Sequence, residues 1–178
     1  ACAHIDGLFD VVKGVEHWLA ADGVFVLEVG YLVDVYSNTW FDTIYHEHLD
    51  YHTVAPFEKL FASVGMEVIG VERIAPQGGS IRVMVQKQLG IIERGNSVDE
   101  LISIEHELGL DQAETLQKFD AKISAVREKL QKLIRSLKAD GKIIAGFGAP
   151  TKATTLMAHF GLDGNVLDFI VDDNLLKQ

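Results

Sequence analysis

Apolar residues recur along this chain at two periods. Leu8, Val11, Val12, Val15, Trp18 and Leu19 fall three or four apart, which predicts a helix over 6–21 ended by Asp22-Gly23. Val24-Phe25-Val26-Leu27-Glu28-Val29 follows as a nearly unbroken apolar run, the pattern of a strand buried in a parallel sheet. A short helix over 55–64 carries Phe57, Leu60, Phe61 and Val64 on one face and closes at Gly65. Residues 66–74 read as a strand and 75–79 as a turn with Pro76 and paired glycines. Residues 80–87 alternate polar and apolar and return as an antiparallel strand.

The pattern breaks over 91–96. A patterned stretch at 98–108 leads to a long helix over 111–139. There Leu116, Phe119, Ile123, Val126, Leu130, Leu133 and Leu137 form one stripe, and the charges between them read as a solvated face. Residues 142–146 predict a strand, 147–150 a small-residue turn, 151–160 a helix ended by Gly161, and 166–171 a second strand. That is one βαβ unit, the start of a Rossmann-like layer. The expected class is therefore α/β, with a sheet ending in an antiparallel hairpin over 1–90. A second domain follows over 91–178, a helical lead-in plus the βαβ unit. Trp18 and Trp40 read as core or loop packing.

Composition narrows the function classes. With 178 residues and 48% hydrophobic positions, the chain can bury one large or two small cores. Lys+Arg of 16 against Asp+Glu of 26 gives a net charge of −10, the wrong sign for a nucleic-acid binder and suited to a soluble cytoplasmic protein. Cys2 is the single cysteine, so no disulfide framework or cysteine zinc cage is expected. No apolar run has the length of a membrane span, and no signal-peptide pattern is present. The first residues begin without Met and enter a patterned segment at once, and the last stop just after a strand, so a fragment of a longer protein is expected.

One block stands outside any packing pattern. Tyr45-His46-Glu47-His48-Leu49-Asp50-Tyr51-His52 holds three histidines, one glutamate and two tyrosines. Histidine beside a carboxylate and a phenol points to proton transfer or a metal. The metal reading is the weaker. His46 and His48 are two apart, Glu47 points elsewhere in an extended segment, and the HExxH spacing fails. Proton transfer needs a base, an orienting acid and a donor for a substrate oxygen, which Glu47-His48 and Tyr45 could supply. His52 and His46 are the first of the cluster to be read as plain loop residues. His4 precedes the first helix, where a strand's carboxyl end would hold a ligand, although a lone histidine there is more often a capping or surface residue.

Gly146-Phe147-Gly148-Ala149-Pro150-Thr151-Lys152 joins strand to helix. Its glycines would admit a close ligand and the helix start would favour an anion, with Lys152 in reach of a phosphate. The third glycine of a dinucleotide fingerprint is absent, and the spacing is not that of a Walker A loop. Asp172 ends the next strand, as a ribose-binding acid or a turn residue. Gln77-Gly78-Gly79-Ser80 is first a hairpin turn and second a ligand contact.

Together these segments resemble the S-adenosylmethionine-dependent sugar C-methyltransferases. The resemblance rests on His4-Ile5-Asp6, Gly23–Val29, Phe41-Asp42-Thr43-Ile44-Tyr45-His46-Glu47-His48, Gly78–Val83, Gly146–Lys152, Val171-Asp172-Asp173-Asn174 and Lys177-Gln178. It implies the C-terminal part of a class I methyltransferase domain followed by a Rossmann-like domain. A zinc domain and the glycine-rich S-adenosylmethionine loop would lie outside this chain. It implies C-methylation of a keto-deoxysugar carried on a nucleoside diphosphate, most simply a thymidine one, through an enolate. By motif match His48 is the base, and Glu47 and Tyr45 shape it or hold sugar oxygens. His4 is a further active-site histidine. The resemblance also implies that Gly146, Gly148, Lys152 and Ser80 would lie toward the sugar nucleotide. The sequence departs from the family at Asp50, where a small polar residue is expected, and at Pro150-Thr151, in place of two small residues. Two other readings stay open. One is a nucleotide-sugar-binding module without catalysis, which has no use for Tyr45–His48. The other is an NAD-linked oxidoreductase, disfavoured by the absent glycine.

Overall fold

The computed structural model describes residues 2–177, so Ala1 and Gln178 lie outside the described residues. The chain is α/β and forms two compact units. One comprises residues 2–38 with Glu47–Thr115, the other Thr39–His46 with residues 116–177. The 91–115 stretch, grouped with the second domain by sequence, therefore packs in the first unit. The reason is α4 (Ser97–Glu107), which buries Val98 and Leu101 in that unit's core.

In the first unit, α1 (Leu8–Trp18) turns Val12 into the core. Trp18, expected as packing, is 88% exposed. Then β1 (Val24–Gly30), β2 (Met66–Ile74) and β3 (Ser80–Lys87) form one sheet in the order β1-β3-β2. Both neighbours run antiparallel to β3, so β1 and β2 are parallel to each other without touching. This corrects the expectation for β1. Its described partner is antiparallel, and only Leu27 and Val29 on one face are buried. Val24 and Val26 alternate onto the opposite face, which no described layer covers. The central strand β3 is the driest, with Ile81, Val83 and Val85 fully buried.

Two helices flank this sheet's connections. Sequence pattern missed α2 (Leu32–Asn38), a short element rich in β-branched valine that buries Val33 and Val35. The other, α3 (Val54–Ala62), buries Val54, Phe57 and Phe61 at spacings of three and four.

In the second unit, the long helix α5 (Ala113–Ala139) buries Phe119, Ile123 and Ile134. The expected stripe is only partly used, because Leu116, Val126 and Leu133 are exposed. Strands β4 (Ala145–Phe147) and β5 (Phe169–Val171) pair in parallel, with α6 (Ala153–Phe160) between them in sequence. Helix α6 ends at Gly161, whose φ of 67° provides the left-handed cap. Asp168 accepts from Lys138 Nζ and from the Ile144 amide, both at 2.7 Å, and these bonds hold its carboxyl below the usual range. No helix of the described residues is long and apolar enough to cross a membrane.

Candidate active site

The expected site residues fall into clusters that belong to different units. Tyr45 and His46 are in the second unit; Glu47 and His48 are in the first. The block is not extended. Tyr45 sits in a bend and His46-Glu47 in a turn, after a 3-10 turn at Phe41–Thr43. His46 and Glu47 are exposed, whereas Tyr45 and His48 are half-buried.

In the first unit, the structure brings His4 and His48 together. Their ring centroids are 4.9 Å apart with planes at 62°, an edge-to-face contact. Backbone geometry makes the pair. His4 ends a 3-10 turn, Cys2–His4, and the neighbouring Ala3 carbonyl accepts from Leu49 N at 2.7 Å and Asp50 N at 3.4 Å. The strand expected before His4 is not among the described residues. Tyr51 also meets His48 edge-on, ring centroids 6.3 Å apart and planes at 81°. His48 thus has an imidazole and a phenol as ring neighbours, on a loop held by a carbonyl from a segment remote in sequence. Such a place suits a group that exchanges a proton with a bound molecule.

His52 has a different role. It is buried, stacks on Phe57 and pairs its backbone with Tyr31. Burial lowers its pKa, so its neutral form is favoured. Ser80, expected near a ligand, is 3% exposed and donates its hydroxyl to the Pro76 carbonyl at 3.0 Å, closing the β2–β3 connection.

In the second unit, Phe41 of the 3-10 turn stacks on Phe160 at 5.0 Å, and Thr155 Oγ1 donates to the Ile44 carbonyl at 2.9 Å. These contacts bind the start of the motif to α6. Beside them Lys152 Nζ lies 3.3 Å from Asp42 Oδ2, so the lysine expected to meet phosphate has an acidic neighbour. Gly146 is in β4, and Gly148 follows it with a φ of 87°. Gly148 N donates to the Val171 carbonyl at 2.7 Å and Ala149 N to Asp172 Oδ2 at 2.6 Å. Asp172 also accepts from Asn174 N at 2.8 Å, and Lys177 Nζ approaches within 3.8 Å. The Ala149 and Asn174 amides, then Lys177, hold its carboxyl below the usual range. These bonds favour the turn reading of Asp172 over the ribose-binding one. Ala149, Ile170, Val171, Asp172 and Lys177 line a cavity of about 270 Å³.

The polar group that sequence reasoning missed is Glu105. It is 5% exposed, and its carboxylate accepts from Tyr31 Oη at 2.9 Å, Val54 N at 2.6 Å and Ala55 N at 3.2 Å. One signal was available. Val98, Leu101, Glu105 and Leu108 recur at helical spacing, so an acid stands on the apolar stripe of α4. Among the described residues, no three His, Cys, Asp or Glu side chains converge as metal ligands.

The family described as the C-methyltransferase C-terminal domain matches residues 75–178, more than half of the chain. The chain belongs to this family. It is also similar to the C-methyltransferase NovU of Streptomyces niveus, at 38% identity over 176 residues. That alignment covers 99% of this chain and 42% of NovU, so the chain spans less than half of that relative's length. It includes the histidine block, which lies before the stretch the family description matches.

Proposed function

We propose that this chain is the acceptor-side part of an S-adenosylmethionine-dependent methyltransferase that C-methylates a keto-deoxysugar on a nucleoside diphosphate, thymidine-linked in the simplest case. The observation that carries the reading is the His4–His48 pair, two histidines remote in sequence whose rings meet, His4 exposed and His48 half-buried. The family, and the similarity to a C-methyltransferase across nearly the whole chain, support it. The strand order β1-β3-β2, with an antiparallel strand between two parallel ones, fits the end of a class I methyltransferase sheet. Under this reading residues 1–90 belong to the methyltransferase domain and 91–178 to a Rossmann-like one, whose lead-in over 91–115 packs with the methyltransferase unit.

The chemistry follows from what a ketone requires. His48 takes the proton from the carbon beside the carbonyl, and the C–H electron pair moves into the enolate. The oxygen then carries charge and needs a donor, a role for His4 or Tyr45. Glu47 holds a sugar hydroxyl or orients the base. Lys152, with the Gly146–Gly148 turn, sits toward the diphosphate, and Ser80 is left to its hairpin.

S-adenosylmethionine would supply an electrophilic methyl group. The connection after β1 does not fit it. That connection has a single glycine, Gly30, and the next amide, Tyr31 N, is spent on the Gly79 carbonyl at 3.2 Å. We assign donor binding to the part of the relatives that this chain does not span.

Calorimetric titration of the chain with a thymidine-diphosphate keto-deoxysugar, and separately with S-adenosylhomocysteine, tests the assignment. Binding of the sugar nucleotide alone is expected; binding of S-adenosylhomocysteine alone would overturn it. In an enzyme of the relative's length, His48→Asn should abolish methyl transfer while both ligands still bind. Wild-type turnover in that variant would remove His48 as the base.

A further inference from the structure

We propose that Glu105 is a positioning residue for His48, acting through Tyr31 and the first turn of α3. The bonds from Glu105 to Tyr31 and to the residues that close the His48 loop are observed geometry; their catalytic meaning rests on the base role proposed above. The loop from His48 to Thr53 has no regular secondary structure, yet it is pinned at three places. At its start, Leu49 and Asp50 donate to the Ala3 carbonyl. In its middle, His52 forms an isolated parallel bridge with Tyr31, and Leu32 N donates to the His52 carbonyl at 3.0 Å. At its end, the Val54 and Ala55 amides donate to Glu105.

Tyr31 belongs to two of these pins. Its backbone holds His52, and its hydroxyl donates to the same carboxylate oxygen that takes the Val54 amide. The Glu105 carboxylate therefore ties the end of β1 to the start of α3 on either side of the His48 loop. It also does what the local sequence leaves undone. Thr53 stands at the N-cap of α3 but makes no side-chain cap hydrogen bond. An acid from α4 supplies the missing acceptor, at the helix end where negative charge is favoured.

Stability alone is a poor reason for this arrangement. A buried polar cluster costs desolvation, and an apolar replacement of similar shape is often neutral or better. What a three-donor carboxylate adds is direction, because each donor must meet an oxygen at a set distance and angle. The direction it sets is that of the loop carrying His48 against His4.

The test is NMR on the 178-residue chain with labelled histidine rings, in wild type, Glu105→Ala and Tyr31→Phe. In wild type a cross-peak between the His4 and His48 rings is expected from their 4.9 Å separation. In Glu105→Ala it should weaken severalfold or vanish, while amide shifts across β2 and β3 stay in place. Tyr31→Phe keeps the cap on α3 and removes only the tie to β1, so it should give a smaller loss in a chain that stays folded even where Glu105→Ala does not. Full cross-peak intensity in either folded variant, with only a lower unfolding midpoint, would make Glu105 a core stabiliser and overturn the proposal. Lost intensity together with normal turnover of His48→Asn in the longer enzyme would uphold positioning by Glu105 and remove only the base role.

Discussion

His52 stacks on Phe57 with ring centroids 4.8 Å apart and planes at 21°, and its Nε2 is buried with no hydrogen-bond partner among the described residues. Burial lowers the imidazole pKa below the ordinary 6.5, against a smaller opposing pull from Asp50. The unfolded chain therefore binds more protons than the folded one just below that pH. Stability is complete above about pH 6.5 and falls as the pH drops through the range below it. His52→Phe keeps an aromatic on Phe57 and removes the orphaned nitrogen. Urea unfolding at pH 8 and pH 5.5 should show the wild type losing more stability on acidification than the variant. Equal losses would mean that His52 gains a partner when charged.

The Tyr31–Glu105 bond gives a second measurable quantity. Burial first, and Glu105 next, push the Tyr31 phenol far above its ordinary pKa, so it stays a donor at any working pH. Tyr31→Phe should cost about 1–2 kcal/mol, one hydrogen bond between buried groups. Glu105→Ala leaves two backbone amides and a hydroxyl without their acceptor, so its cost should reach about 3 kcal/mol or more. The two changes should be non-additive, since each removes the same bond. Strict additivity in the double variant would deny the bond its role in the folded chain.

Gly79 offers a backbone test. Its φ of 154° lies where side chains are disfavoured, and a Cβ there would run into the Asp34 carboxylate. Asp34 cannot yield freely, because Arg73 Nη2 holds it at 2.5 Å. Gly79→Ala should therefore cost about 2 kcal/mol, combining strain with a displaced ion pair. Thermal unfolding checks it, and Gly79→Ala with Asp34→Ala should recover the steric share.

Much of the fold was legible because its signals are local. The hairpin turn at Pro76–Gly79, the stripe of α3 and the glycine after α6 each announce themselves within a few residues. The parallel reading of β1 failed because an apolar run reports burial and not strand direction. Here the run is buried on one face only. Leu116, Val126 and Leu133 were read into the core because period alone does not say which part of a long helix has a covering layer. In the site, the residue types of the Tyr45–His52 block pointed to the proton-transfer role proposed for it above. The pairing of His4 with His48 depends on a carbonyl from Ala3, and the capping of α3 on an acid from another helix. Neither carbonyl nor cap leaves a mark in the block's own sequence.

Lys152 and Asp42 lie 3.3 Å apart, with their side chains 52% and 29% exposed. An ion pair so open to water is worth little, about 0.2–1 kcal/mol, so neither Lys152→Ala nor Asp42→Asn should change stability by more than that. Their effects on binding should have opposite signs. If Lys152 serves the diphosphate, Lys152→Ala weakens thymidine-diphosphate sugar binding, and more so at low salt, where charges are least screened. Asp42→Asn removes the carboxylate that competes for the ammonium. It should raise affinity, by no more than about fivefold given the strength of the pair it breaks. Calorimetry of both variants at two ionic strengths separates the cases. Opposite signs that shrink with added salt place Lys152 at the phosphates. Unchanged affinity in both would leave the pair a surface contact and move the phosphate site away from the Gly146–Lys152 turn.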